Sequence, residues 1–119
     1  MGHLSTHVLD TAHGCPARGM MVSLQRLHAD GRTETVKRLA LNSDGRTDGG
    51  PLLDAAAMAA GRWRLVFEAG DYFRKRGLVL PEPAFIDVVN LDFGISDAAG
   101  HYHVPLLVSP FSYSTYRGS

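Results

Sequence analysis

The chain has 119 residues and a mass of 12.9 kDa, the length of one ordinary domain and enough to bury a core without disulfide or metal staples. Twelve Lys and Arg balance twelve Asp and Glu, so no basic surplus offers the phosphate neutralisation that nucleic-acid binding demands, and little charge keeps copies of the chain apart. The single cysteine cannot close an internal disulfide, no apolar run nears the ~20 residues of a bilayer-spanning helix, and the N-terminus lacks a secretory pattern; the expectation is a cytoplasmic protein with neither nucleic acid nor membrane as partner.

Along the chain the hydrophobic pattern repeats close to every second residue, which predicts strands. In "LSTHVLD" (4–10), His7 and Leu9 face one way and Thr6 and Val8 the other. Cys15 falls beyond it, where a small, half-buried side chain in a turn is expected. The runs "MMVSLQRL" (20–27) and "TVKRLALN" (35–42) follow as strands around the turn "HADGRT". Next comes "NSDGRTDGG" (42–50), whose Gly and Asp suit tight turns. It lacks the Glu of a calcium loop and the Gly-Lys-Ser or Gly-Lys-Thr of a phosphate loop. It does carry Arg46, whose planar fork of donors fits an oxyanion or the edge of an imide.

The second half continues the pattern. "LLDAAAMAAG" (52–61) suits a helix by its alanines and a strand by its length and position. In "WRLVFE" (63–68), Trp63, Leu65 and Phe67 share one face and Arg64, Val66 and Glu68 the other. "GDYFRKRG" (70–77) predicts a short helix capped by Asp71 and ended by Gly77. "FIDVVNLDF" (85–93) and "HYHVPLLV" (101–108), with the turn "SDAAGH" between them, complete seven or eight strands and point to an all-β sandwich. No repeat or linker interrupts the chain, so residues 1–119 are expected to form a single domain.

The last long strand differs from the rest because both of its faces are apolar. Val104, Leu106 and Val108 form one; Pro105 and Leu107 continue the other, which begins with His101 and His103. A sandwich core covers only one face, so the other is expected to meet a second copy of the chain, with His103 in a partly dry interface shared with His7. His13 and His28 read as surface residues, and His101 as either a second ligand or a rim residue. A zinc site on His7, His101 and His103 competes with acid–base chemistry, although no cysteine pair supports it. A serine hydrolase is weaker still, because no Gly-x-Ser-x-Gly elbow is present.

The segments "LSTHVLDTAHGCPA", "NSDGR", "RLVFEAGDYF" and "HYHVPLLVSPFSYSTYRGS" together resemble the 5-hydroxyisourate hydrolases, the purine-catabolic branch of the transthyretin family. The likeness spans nearly the whole chain, and its most specific part is the terminal Tyr-Arg-Gly-Ser. It implies a transthyretin-like sandwich of two four-stranded sheets with one short helix, assembled as a homotetramer, a dimer of dimers, around a central channel. It implies His7, Arg46 and His103 as catalytic residues, with Tyr116, Arg117 and Ser119 joining His7 and Arg46 in binding the substrate, 5-hydroxyisourate, and neither metal nor organic cofactor. The alternative is a carrier that binds an aromatic small molecule in the same channel. A hydrolase needs imidazoles and a guanidinium converging on the channel wall, whereas a carrier does not.

Overall fold

The structure, a computed structural model, describes residues 1–118; Ser119 lies outside the described residues. The elements run β1 (His3–Asp10), β2 (Cys15–Pro16), β3 (Met21–Leu27), β4 (Thr33–Ala40), β5 (Gly61–Phe67), α1 (Ala69–Lys75), β6 (Val89–Ile95), β7 (His101–Val108) and β8 (Tyr113–Thr115). They form two four-stranded sheets, β2-β1-β7-β8 and β4-β3-β5-β6. The sequence pattern predicts a β-sandwich with one short helix, and its division into two four-stranded sheets is the one that the resemblance implies. Pairing is antiparallel except for β1 with β7, which run parallel and match His3 to His101 through Asp10 to Val108.

Alternation decides what each strand buries. Leu4, Thr6, Val8 and Asp10 of β1 point inward, as do Tyr102, Val104, Leu106 and Val108 of β7. They meet Val22 and Leu24 of β3, Trp63, Leu65 and Phe67 of β5, and Val89, Leu91 and Ile95 of β6 across the sandwich. Inward Thr6 is accommodated because its hydroxyl donates to the Val104 carbonyl at 2.7 Å.

Several local expectations are corrected. The helix starts after Glu68, so Asp71 sits in its first turn and not at its cap, where its charge still suits the helix dipole. Gly77 does end it, its amide donating to the Arg74 carbonyl while that of Leu78 reaches Phe73. Residues 52–60 of "LLDAAAMAAG" form neither helix nor strand, and Gly61 opens β5. Leu53 bridges Leu4, and Asp54 closes a turn by accepting from the Ala57 amide. The run from Phe85 becomes a strand only at Val89, because the Ile86 amide and the Asp87 carbonyl bond to Pro110 and Gly70 outside the sheet. Cys15 is half-buried in the short strand β2.

Candidate active site

The outer face of the β1–β7 pair is built by register. In this parallel ladder Ser5 lies opposite His103 and His7 opposite Pro105, so alternation turns Ser5, His7 and His103 to the same side. His7 and His103 are diagonal neighbours there. The hydroxyl oxygen of Ser5 stands 2.8 Å from His103 Nδ1, which fixes the imidazole about its own strand.

Arg46 arrives from the 42–50 loop through backbone geometry. The Asn42 side-chain oxygen accepts from the amides of Asp44 and Arg46, folding the loop on itself. The Val8 amide then donates to the Gly45 carbonyl at 3.0 Å, which ties the loop to β1 one residue past His7. Gly45 has φ +71°, and a Cβ there would meet the Val8 carbonyl oxygen at 2.6 Å. Only glycine fits that approach. The tight turn of "DGR" therefore serves to set a guanidinium beside an imidazole.

Electrostatics separates these histidines from ordinary ones. Burial lowers the His7 pKa below its usual 6.5, and the Arg46 cation lowers it further, while Asp44 pulls the other way through its backbone and its carboxylate. His103 is lowered by burial, then by Arg46, then by His7 and His3. Both imidazoles are thus held toward the neutral form, in which a ring nitrogen can accept a proton at neutral pH.

The surroundings are open on one side. A cleft of ≈ 630 Å³ beside Arg46 is walled by His3, Ser5, Thr47, Pro51 and His101, and a smaller one of ≈ 230 Å³ by His7, Leu9, Pro105, Leu107 and Tyr116. His103 lies on β7 between His101, in the first, and Pro105, in the second. His101 lies against His3 with 4.3 Å between ring centroids and the rings tilted by 34°, and its Nε2 lies 2.6 Å from the Met1 carbonyl. That arrangement sets His101, an exposed residue, at the wall of the first cleft. Among the described residues no group of three His, Cys, Asp or Glu side chains stands at metal-binding spacing.

The terminal segment divides its side chains between two faces. Gly118 and His103 exchange backbone hydrogen bonds of 2.8 and 3.3 Å, and a Cβ on Gly118 would come within 2.8 Å of His103 Cδ2. Tyr116 stands on the same side, next to His7. Arg117 points the other way: its guanidinium lies 4.2 Å over the Tyr102 ring and donates to the His101 carbonyl. Within the protomer, then, His7, Arg46, His103 and Tyr116 come together and Arg117 does not, because one residue of extended chain turns it to the opposite face. The expectation for Ser119 lies outside the described residues. Ser5 and Asp44 escaped the sequence reading. Ser5 shares the alternation phase of His7, but its contact with His103 follows from the parallel pairing of strands far apart in the chain.

The HIUase/Transthyretin family model matches residues 4–118. The chain is 58% identical to 5-hydroxyisourate hydrolase 2 of Rhizobium meliloti (strain 1021) over 118 residues, covering 99% of this chain and 97% of that protein. Among solved structures it resembles (S)-allantoin synthase, with a TM-score of 0.92 and 44% identity over 99% of this chain; it spans 44% of the length of that larger chain. Sea bream transthyretin in complex with thyroxine matches with a TM-score of 0.84 and 26% identity, covering 97% of this chain and 93% of the other.

Proposed function

This chain belongs to the HIUase/Transthyretin family, and on that premise we propose that it is a 5-hydroxyisourate hydrolase of urate breakdown. One observation carries the choice within the family: two imidazoles held toward neutrality and one guanidinium converge on a single face from three separate segments. A binding surface gains nothing from two proton acceptors lying side by side, whereas hydrolysis at a carbonyl requires such groups.

The reaction adds water across a cyclic amide. A neutral imidazole of the His7–His103 pair takes one proton from the water, and the resulting hydroxide bonds to the amide carbonyl carbon of the six-membered ring. Negative charge builds on the carbonyl oxygen, and Arg46 stabilises it through charge-assisted hydrogen bonds. As the carbon–nitrogen bond breaks, the imidazolium returns its proton to the departing ring nitrogen. The product, 2-oxo-4-hydroxy-4-carboxy-5-ureidoimidazoline, retains every atom of substrate and water. Arg46 also raises the cost of charging either imidazole, which favours quick return of the proton. Tyr116 walls the substrate beside His7. Arg117, occupied with Tyr102 and His101, anchors the tail that seats Gly118 against His103.

The same face accounts for assembly. Leu9, Leu107 and Tyr116, packed around the buried Pro105, leave an apolar surface beside the imidazoles, and a second copy of the chain excludes water from it, with a homotetramer as the complete form. We place the protein in the cytoplasm, where its one thiol stays reduced. The test is optical. Freshly oxidised urate loses its hydroxyisourate absorbance slowly unaided, and the protein is expected to accelerate that loss at catalytic concentration. Unchanged decay would favour the carrier reading, for which the thyroxine-bound relative is the precedent.

A further inference from the structure

We propose that Ser5 is a positioning residue that fixes the tautomer and orientation of His103, so that Nε2 presents its lone pair to the reacting water. The inference rests on the hydrolase reading and concerns the same site. Its basis is the 2.8 Å contact between Ser5 Oγ and His103 Nδ1, made by side chains 98 residues apart that the parallel ladder places opposite one another.

Two features make the contact more than packing. First, it engages Nδ1 alone, and among the described residues Nε2 has no hydrogen-bond partner. When Nδ1–H donates to the serine oxygen, the proton is held on that side and Nε2 becomes the acceptor. Second, the partner is a hydroxyl. A carboxylate there would stabilise the imidazolium and keep the proton that the departing nitrogen needs, whereas a neutral oxygen orients the ring with little such bias. The protein uses the carboxylate arrangement elsewhere. His13 Nδ1 lies 2.6 Å from the carboxylate of Asp10, which also accepts from the Tyr72 hydroxyl at 2.7 Å. That knot is structural: it joins the end of β1 to helix α1. Gly118 completes the seat of His103 by closing over the ring from the other side, where any side chain would displace it.

The test compares Ser5→Ala and Ser5→Thr with the wild type, using initial rates on hydroxyisourate and 15N NMR of the His103 imidazole. Ser5→Ala is expected to lower kcat by about 10-fold, part of the roughly 10²- to 10⁴-fold that a general base contributes, with KM unchanged. Ser5→Thr, which keeps the hydroxyl, is expected to recover most of the loss. In the spectra the wild type should show one neutral tautomer protonated at Nδ1, and Ser5→Ala a mixture of both. Wild-type kcat in Ser5→Ala, an equal loss in both variants, or identical tautomer signals in wild type and Ser5→Ala would overturn the proposal. A wild type inert toward hydroxyisourate would defeat the hydrolase reading instead, and the NMR comparison would still decide whether Ser5 sets the tautomer.

Discussion

The outer faces of the two sheets solve the same problem differently. On the β4-β3-β5-β6 sheet, register aligns Thr35, Gln25, Arg64 and Asp92 across all four strands. Arg64 grips Asp92 with two hydrogen bonds of 2.5 and 3.0 Å, and Arg38 pairs with Glu68 at 2.9 Å. That face is polar, and its charges pair with one another. On the β1–β7 pair the corresponding positions hold His7, Leu9, His103, Pro105 and Leu107, with Arg46 brought in from a loop. Among the described residues, Leu9, Leu107 and Tyr116 of that face stay partly open to solvent, and the imidazoles there are shifted toward neutrality. The contrast lies in what each sandwich exterior gathers: paired charges on one, and on the other two imidazoles and a guanidinium among apolar side chains.

Substitutions on the two faces should differ by orders of magnitude. His103→Asn removes a proton acceptor while keeping a polar side chain of similar reach, and turnover of hydroxyisourate is expected to fall by about 10²- to 10⁴-fold with the oligomer retained. Near wild-type turnover would mean that the base lies elsewhere. Leu107→Glu places a carboxylate on the apolar face next to His7, and light scattering should show dissociation to smaller species, with activity lost as the face becomes wet. An intact tetramer would move the contact to another surface. On the opposite sheet, Arg64→Ala removes one member of an exposed pair. It should change stability by less than about 1 kcal/mol in thermal unfolding and leave the rate unaltered.

Much of this was legible in the sequence for a physical reason: alternation is a local property. "LSTHVLD" and "HYHVPLLV" declare which side chains share a face, and the two apolar faces of the latter declare that something must cover the second. The resemblance of the segments then supplied the chemistry. What stayed hidden depends on pairing between distant segments. Ser5 meets His103 only because β1 and β7 run parallel. Arg46 reaches His7 only because Gly45 can touch the Val8 carbonyl. The resemblance names Arg117 with its neighbours, but it does not show that alternation across a single residue turns the guanidinium over the Tyr102 ring within the protomer. The run "LLDAAAMAAG" suited a helix by its alanines and a strand by its length and position, but Leu53 bonds to Leu4 and Asp54 captures the Ala57 amide, so tertiary pairing and a turn overrode both.

The most direct test of the neutral imidazole pair is the pH dependence of kcat/KM for hydroxyisourate in the wild type and in Arg46→Met. Both histidine pKa values are lowered from 6.5, so the neutral, active form persists as the solution is acidified below that value, and the rate should fall only at a more acidic pH. Removing the guanidinium should cut the rate by roughly 10²- to 10³-fold and move the acid limb upward toward 6.5, because one of the two main causes of the lowering is gone. A wild-type limb at or above 6.5, or one that Arg46→Met leaves in place, would contradict the account.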